Sequence, residues 1–264
     1  MSTVIVFEPL PREYFRPLEA PPRITNFRER LALLARTGID RVLVLKFNEE
    51  LRGMSAEDFV SRVFVEGLGA RYIALGDDFR FGNSREGDYD YVQRLAAKFN
   101  YEVQPTGTLE IADVRVSSTR IRAALDAGYF DDAARLLGRP FELAGRVQHG
   151  QKLGRQLDAP TANIALHRIR SPLQGVYAVS VWGGGLEGAQ GVANVGVRPT
   201  LGERLEATLE VHVLQGSPDL YGERLTVRFR HKLREEQKFP SLEALKAGIK
   251  ADKANASAWL NDHG

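Results

Sequence analysis

Short β-branched runs alternate with amphipathic helical stretches through the first half of the chain. Thr3 to Phe7 predicts a strand, Phe27 to Thr37 a helix, Arg41 to Phe47 a strand, Ala56 to Leu68 a helix and Tyr72 to Leu75 a strand. A strand-helix-strand rhythm of this kind is the signature of a parallel sheet covered by helices, and it predicts a doubly wound α/β domain. Such a sheet usually opens with a strand, a ligand-binding turn and a helix. This chain instead starts inside a strand and runs into Glu8-Pro9-Leu10-Pro11, so the sheet is expected to be incomplete at its N-terminus.

Two closely spaced helical segments follow, Thr119 to Ala127 and Phe130 to Leu137, and the texture changes near Gly138-Arg139-Pro140. Beyond that point apolar and polar residues alternate in Val176 to Trp182, Ala207 to Leu214 and Leu225 to His231, which predicts antiparallel strands in a sandwich or small barrel. Gly183-Gly184-Gly185 is read as a hairpin loop, since it has neither Walker nor dinucleotide-fingerprint spacing. Ser241 to Leu260 predicts a closing helix. The expected division is therefore residues 1–138 and residues 139–264.

The length of 264 residues fits one large or two ordinary domains, and 43% hydrophobic with 27% charged residues excludes a disordered or collagen-like chain. No apolar stretch approaches the roughly 18 residues needed to span a bilayer, and Val4 to Phe7 is too short for a signal-peptide core. A cytoplasmic address without a membrane partner is expected. With no cysteine there is no disulfide, thiolate zinc site or cysteine nucleophile, and the five histidines never fall at HxH or HExxH spacing. A formal charge of only +2 does not imply nucleic acid, although clustered arginines could still hold phosphates.

Four segments could carry chemistry. In Ser117-Ser118-Thr119-Arg120-Ile121-Arg122, hydroxyl residues stand at a helix start with arginines in its first turn. Plain N-capping would account for the hydroxyls. Arginine, however, carries the wrong sign for that end of the helix dipole, an anomaly that a bound phosphate would reverse. The run from Gly150 to Asn163 joins Gly150, Lys152, Gly154 and Arg155 to Pro160-Thr161-Ala162-Asn163. Glycines let backbone amides approach phosphate, and Thr161 and Asn163, one residue apart in an extended segment, offer two hard oxygens on one face. An ordinary loop with local side-chain bonds is the alternative. In Ala207 to Val213 the odd positions are apolar, which sets Thr208, Glu210 and His212 on the opposite face; Glu210 is a general base or a solvated strand residue. Gly76-Asp77-Asp78-Phe79-Arg80-Phe81-Gly82 follows the Tyr72 strand, where open α/β sheets bind ligands; its two phenylalanines suggest a planar-ligand pocket, against a solvated loop.

Taken in order, Phe7-Glu8-Pro9-Leu10-Pro11, Gly76 to Gly82, Ser117 to Arg122, Leu137-Gly138-Arg139-Pro140, Pro160-Thr161-Ala162-Asn163 and Leu220-Tyr221-Gly222 resemble the bifunctional bacterial FAD synthetases. The resemblance spans nearly the whole chain, extending to Leu233-Arg234 and Lys238-Phe239. It implies a Rossmann-like nucleotidyltransferase domain that adenylylates FMN, followed by an antiparallel riboflavin-kinase β-barrel. It also implies Mg2+ as cofactor with ATP as co-substrate, and riboflavin, FMN and ATP as partners, and it leaves room for a homo-oligomer.

Residue by residue, Thr161 and Asn163 match the family's metal and ATP-phosphate ligands, and Glu210 its base for the ribityl 5′-hydroxyl. Gly150, Lys152, Gly154 and Arg155 fall in the kinase's ATP loop. Ser117, Ser118, Thr119 and Arg122 match the adenylyltransferase phosphate motif, and Asp78 and Phe79 the loop near flavin and ATP. Two departures stand out. The family's opening strand, glycine-rich turn and HxGH histidine pair have no counterpart, so the chain is expected to be truncated or mis-started with an impaired adenylyltransferase half. A kinase-only enzyme and a non-catalytic flavin-binding protein are the alternatives. Asp158-Ala159 also precedes Pro160 where the family usually has glycine and an aromatic or apolar residue, and a carboxylate near ATP phosphates would weaken ATP binding slightly unless magnesium or Lys152 offsets it.

Overall fold

A computed structural model describes residues 1–148, 161–199, 205–216 and 218–263. The chain packs as two compact units, one of Met1–Ala20 with Leu34–Arg115 and a second of Pro21–Leu33 with Val116–Gly264. The packing units and the change of sequence texture at Gly138 therefore do not coincide.

In the first unit, β1 (Thr3–Glu8) is followed by α1 (Pro11–Phe15), and after α2 (Phe27–Ala35), which crosses the division between units, comes β2 (Arg41–Lys46). β1 and β2 pair in parallel from Thr3↔Arg41 to Glu8↔Lys46. Next are α3 (Glu49–Gly53) and α4 (Ala56–Phe59), capped by Asn48 and Ser55, whose side-chain oxygens accept from Leu51 N and Asp58 N at 2.9 and 3.0 Å. The single helix expected from Ala56 to Leu68 changes character after Phe59, continuing over Val60–Gly67 in wider, π-type turns. Gly67 permits this, because a Cβ there would lie 2.8 Å from the Arg62 carbonyl oxygen.

β3 (Tyr72–Gly76), α5 (Tyr89–Phe99) and β4 (Glu102–Thr106) form a strand-helix-strand unit with β3 and β4 parallel. A small hairpin of β5 (Glu110–Ile111) and β6 (Val114–Arg115) turns through Ala112 and Asp113, both at positive φ. The expected parallel strands are thus present but bond two by two rather than as one continuous sheet. The pairs share a core in which Phe59, Val60, Phe64, Ile73, Leu75, Phe81 and Val92 are buried and Ile5, Phe7 and Leu45 pack against them.

Tyr101 is buried in this core, and its hydroxyl donates to the Val92 carbonyl at 2.7 Å. Burial pushes the phenol up to about 12 from its ordinary 10. The neutral form is therefore favoured on folding. Its stabilisation is complete below pH 10 and is lost as pH rises toward 12. The stability gap between the parent and a Tyr101→Phe variant, followed by urea denaturation, is expected to shrink across that interval; a pH-independent gap would refute the assignment.

The second unit opens with α6 (Ser118–Asp126) and α7 (Phe130–Leu137), then forms a closed barrel from β7 (Glu142–Gln148), β8 (Ala162–Ala165), β9 (Gly175–Gly183), β10 (Leu186–Pro199), β11 (Leu205–Val213) and β12 (Arg224–Arg234). Around the barrel the order is β10-β11-β8-β7-β12-β9, with every adjacent pair antiparallel. Alternation explains the interior. Leu143, Val147, Ala162, Ile164, Tyr177, Val179, Val181, Ala193, Val195, Leu209, Val211, Leu225, Val227 and Phe229 all point into one core. Helices α6 and α7 add Ile121, Leu125 and Phe130, and Phe130 stacks on Phe229 with centroids 6.0 Å apart.

Gly183, Gly184 and Gly185 all have positive φ and close the β9-β10 hairpin as expected. Just beyond, Gly188 is an extra residue in β10: Glu187 pairs with Trp182 but Ala189 with Val181, a β-bulge. The closing helix α8 (Leu242–His263) lays Ala256, Leu260 and Trp259 on the outside of the barrel against Ala178, Val192 and Leu233. Arg234 fastens it by a two-pronged pair with buried Asp252, at 2.8 and 2.7 Å.

Candidate functional site

The barrel's register settles which polar side chains share its outer face. In β11 Ala207, Leu209, Val211 and Val213 are buried, while Thr208, Glu210 and His212 are half-buried on the other face. In β8 Ala162 and Ile164 point inward, so Thr161 and Asn163 do not. Glu210 is the cross-strand partner of Asn163 in the β11-β8 ladder. Directly opposed residues of an antiparallel pair have Cβ atoms roughly 4.5–5.5 Å apart. The carboxylate and the amide therefore stand side by side, with Thr161 two residues further along the same face.

The same row extends to a residue that the sequence did not single out. Asn194 of β10 is the partner of Glu210 on its other side, and Gln148 of β7 is the partner of Asn163. Four consecutive strands thus contribute Asn194, Glu210, Asn163 and Gln148 in line. No local signal distinguished Asn194, a lone amide in the run Gly191-Val192-Ala193-Asn194-Val195-Gly196. Only the register places it beside Glu210. Its Oδ1 is buried and has no hydrogen-bond partner among the described residues.

Thr161 and Asn163 supply neutral hard oxygens of the kind a divalent cation takes up together with nucleotide phosphates, since such cations often accept only one or two protein ligands beside phosphate and water. Among the described residues no cluster of three His, Cys, Asp or Glu side chains could hold a metal by itself. Two neutral oxygens of this kind fit a divalent ion whose other ligands are phosphate and water. Gly150, Lys152, Gly154 and Arg155 lie outside the described residues.

The adenylyltransferase candidates fall in separate compact units. In the second unit Ser117 caps α6, its hydroxyl accepting from Arg120 N at 3.3 Å, while Ser118 and Thr119 are exposed in the first turn. Arg122 is half-buried and its Nε donates to the Pro22 carbonyl at 2.6 Å. Both the capping hydroxyl and part of the guanidinium thus have structural partners within the unit. In the first unit Asp78 is exposed and faces Arg115 at 3.9 Å, a surface pair of little energetic weight. Phe79 is half-buried and stacks on Phe81, centroids 5.4 Å apart. Phe81 belongs to the core, 6% exposed against Phe59 and Phe64, so of the two rings only Phe79 keeps a face toward solvent.

Comparison with known proteins follows this division of chemistry. Residues 137–260 match the riboflavin kinase family model and residues 1–120 the FAD synthetase model. The bifunctional riboflavin kinase/FMN adenylyltransferase of Pseudomonas fluorescens is 53% identical over 259 residues, spanning 97% of this chain and 82% of that protein. Its counterpart in Escherichia coli K12 is 44% identical, again over 97% of this chain and 82% of the relative. A crystal structure described as a macrolide-efflux protein from Streptococcus pneumoniae superposes with a TM-score of 0.73 at 30% identity, covering 97% of this chain and 83% of that one. No helix among the described residues is long and apolar enough to cross a membrane.

Proposed function

Because the chain belongs to the bifunctional riboflavin kinase/FMN adenylyltransferase family, we propose that the outer-face row of the barrel is the centre at which riboflavin is phosphorylated. The observation that supports this most directly is the pairing of Glu210 with Asn163. Phosphoryl transfer runs through a loose, charge-rich transition state and depends on alignment and neutralisation more than on covalent help. Thr161 and Asn163 hold the metal-nucleotide, and Glu210 orients the ribityl 5′-hydroxyl and takes its proton. The Mg2+ carried by ATP supplies charge neutralisation of the phosphates. Gly150, Lys152, Gly154 and Arg155 complete the ATP loop in this reading.

FMN made by the kinase half is the substrate of the adenylyltransferase half, where Ser117, Ser118, Thr119 and Arg122 hold ATP phosphates and Asp78 and Phe79 border the flavin. Matches to both family models favour a bifunctional enzyme of flavin-cofactor synthesis over a kinase-only or purely flavin-binding protein. The proposed setting is cytoplasmic, with riboflavin, FMN and ATP as partners.

Incubation with riboflavin and Mg-ATP, followed by chromatographic separation of flavins, tests the reading. FMN should appear first and FAD after it, and removal of the divalent ion with EDTA should abolish both. Riboflavin returned unchanged in the presence of Mg-ATP would end the enzymatic assignment.

A further inference from the structure

The row of polar residues on the barrel has a direction. With the metal-nucleotide held at β8 by Thr161 and Asn163, and the carboxylate of Glu210 on the next strand, an in-line transfer needs the attacking hydroxyl within reach of both Glu210 and the γ-phosphate, opposite the leaving ADP, so that the rest of the acceptor extends past Glu210 on the side away from β8. That side is β10, where Asn194 is the cross-strand partner of Glu210. The strand beyond offers Val176 at the same level and then Arg234. Arg234 is engaged by Asp252 and by the Glu235 carbonyl, and Val176 is apolar and buried. Asn194 is therefore the polar group of this row best placed to meet the acceptor substrate, and its Oδ1 is buried without a partner among the described residues.

A buried amide oxygen that accepts nothing costs stability, so its retention calls for a donor that is absent in the free fold. We infer that Asn194 is a specificity-determining residue for the acceptor: its amide oxygen accepts a hydrogen bond from a polyol hydroxyl next to the one that Glu210 deprotonates. The inference rests on the kinase reading of the row. Asn194 reads the substrate's chain of hydroxyls, whereas Glu210 acts on the one that reacts. A flavin lacking those neighbouring hydroxyls forfeits this contact while keeping the reacting group.

Two variants and three readouts test it. Asn194→Leu is expected to raise the riboflavin KM about ten-fold or more, the size of one lost buried hydrogen bond. The KM for ATP should stay within about two-fold, and Tm should hold or rise, because a leucine of similar size removes the orphaned oxygen. An amide serving only the fold would show the reverse, with a lowered Tm and an unchanged riboflavin KM, and that result overturns the inference. Asn194→Asp keeps the acceptor oxygen but sets a second carboxylate beside Glu210. The riboflavin KM should then remain within about two-fold of the parent's, since the accepting oxygen is retained. A riboflavin KM raised as far in Asn194→Asp as in Asn194→Leu also overturns the inference, and this variant remains informative should Asn194→Leu fail to fold. Failure here is separable from failure of the kinase reading. The latter falls if Glu210→Gln retains full FMN synthesis, the former if only the Asn194 variants behave as the parent.

Discussion

A Glu210→Gln variant is expected to make FMN about 10²–10⁴-fold more slowly than the parent, the usual span for removal of a general base. The amide is nearly isosteric and lies on the outer face of β11, away from the Leu209 and Val211 side chains that fill the interior. The barrel's stability should therefore change by no more than about 0.5 kcal/mol, as is usual for a substitution outside the core. The loss should fall on kcat, because a carboxylate that removes a proton acts in the transition state more than in binding. Steady-state kinetics with riboflavin and Mg-ATP, run beside thermal melts, separate the two effects. A variant whose kcat drops only in step with its folded fraction would reduce Glu210 to a structural residue.

A Glu29→Ala variant should lose on the order of 3–5 kcal/mol of stability in the second unit, the cost of stranding a buried charge. Arg168 is among the few buried charged residues, with its side chain 1% exposed, and Glu29 meets it at 2.6 Å. Burial pushes the guanidinium's pKa down, and Glu29 opposes that shift. Arg168 also donates to the Arg23 carbonyl at 3.1 Å. Glu29 has further duties: it accepts from Asn26 N at 2.7 Å, while Asn26 Oδ1 accepts from Glu29 N at 2.9 Å, a reciprocal cap for α2. Asn26 in turn donates to the Leu166 carbonyl at 3.2 Å. The segment Pro21–Leu33 is thus fastened to the barrel by a polar network beside the packing of Ile24 on the barrel core. A drop in Tm of order 10 °C is expected, at about 2–4 °C per kcal/mol. Replacing Arg168 and Glu29 together by methionine should recover much of it, since no charge is then left alone. If the single and double variants melt together, the ion pair does not hold this segment.

That network also shows where the sequence was silent. Helix Phe27–Ala35 was legible from its periodicity, but the residues that decide what Pro21–Leu33 packs on are Glu29 and Arg168, far apart in the chain and ordinary in composition. The barrel strands were legible where alternation ran undiluted, as in β9, β11 and β12. β7, β8 and β10 were less legible, β8 only as an extended segment and β10 only through its hairpin loop, because glycines at Gly145, Gly191 and Gly196 interrupt the pattern and β8 has only four residues. Gly145 shows why the interruption exists, since a Cβ there would stand 2.4 Å from the Ala165 carbonyl oxygen. In the first unit the aromatic pair of the Asp78 loop suggested a pocket, but Phe81 fills the core and only Phe79 remains half-exposed. Glu210 and Asn163 could be proposed from motif resemblance, whereas their adjacency, and that of Asn194, depends on strand register that no single segment encodes.

The single supernumerary residue at Gly188 governs which side of the wall Asn194 inhabits. Upstream of it an even-numbered side chain, Leu186, packs against the interior; downstream the odd-numbered Ala189, Ala193 and Val195 do. Gly188 therefore acts as a parity switch. Straightening the bulge with Gly188 kept in the ladder and the Gly183-Gly184-Gly185 loop in place would swap every later side chain of β10 across the wall, driving the Asn194 amide indoors, whereas deleting Gly188 would leave Glu187 opposite Trp182, Ala189 opposite Val181 and Asn194 outside. In this barrel the way the chain absorbs one residue after the hairpin matters to the outer-face row as much as the identity of any residue in it.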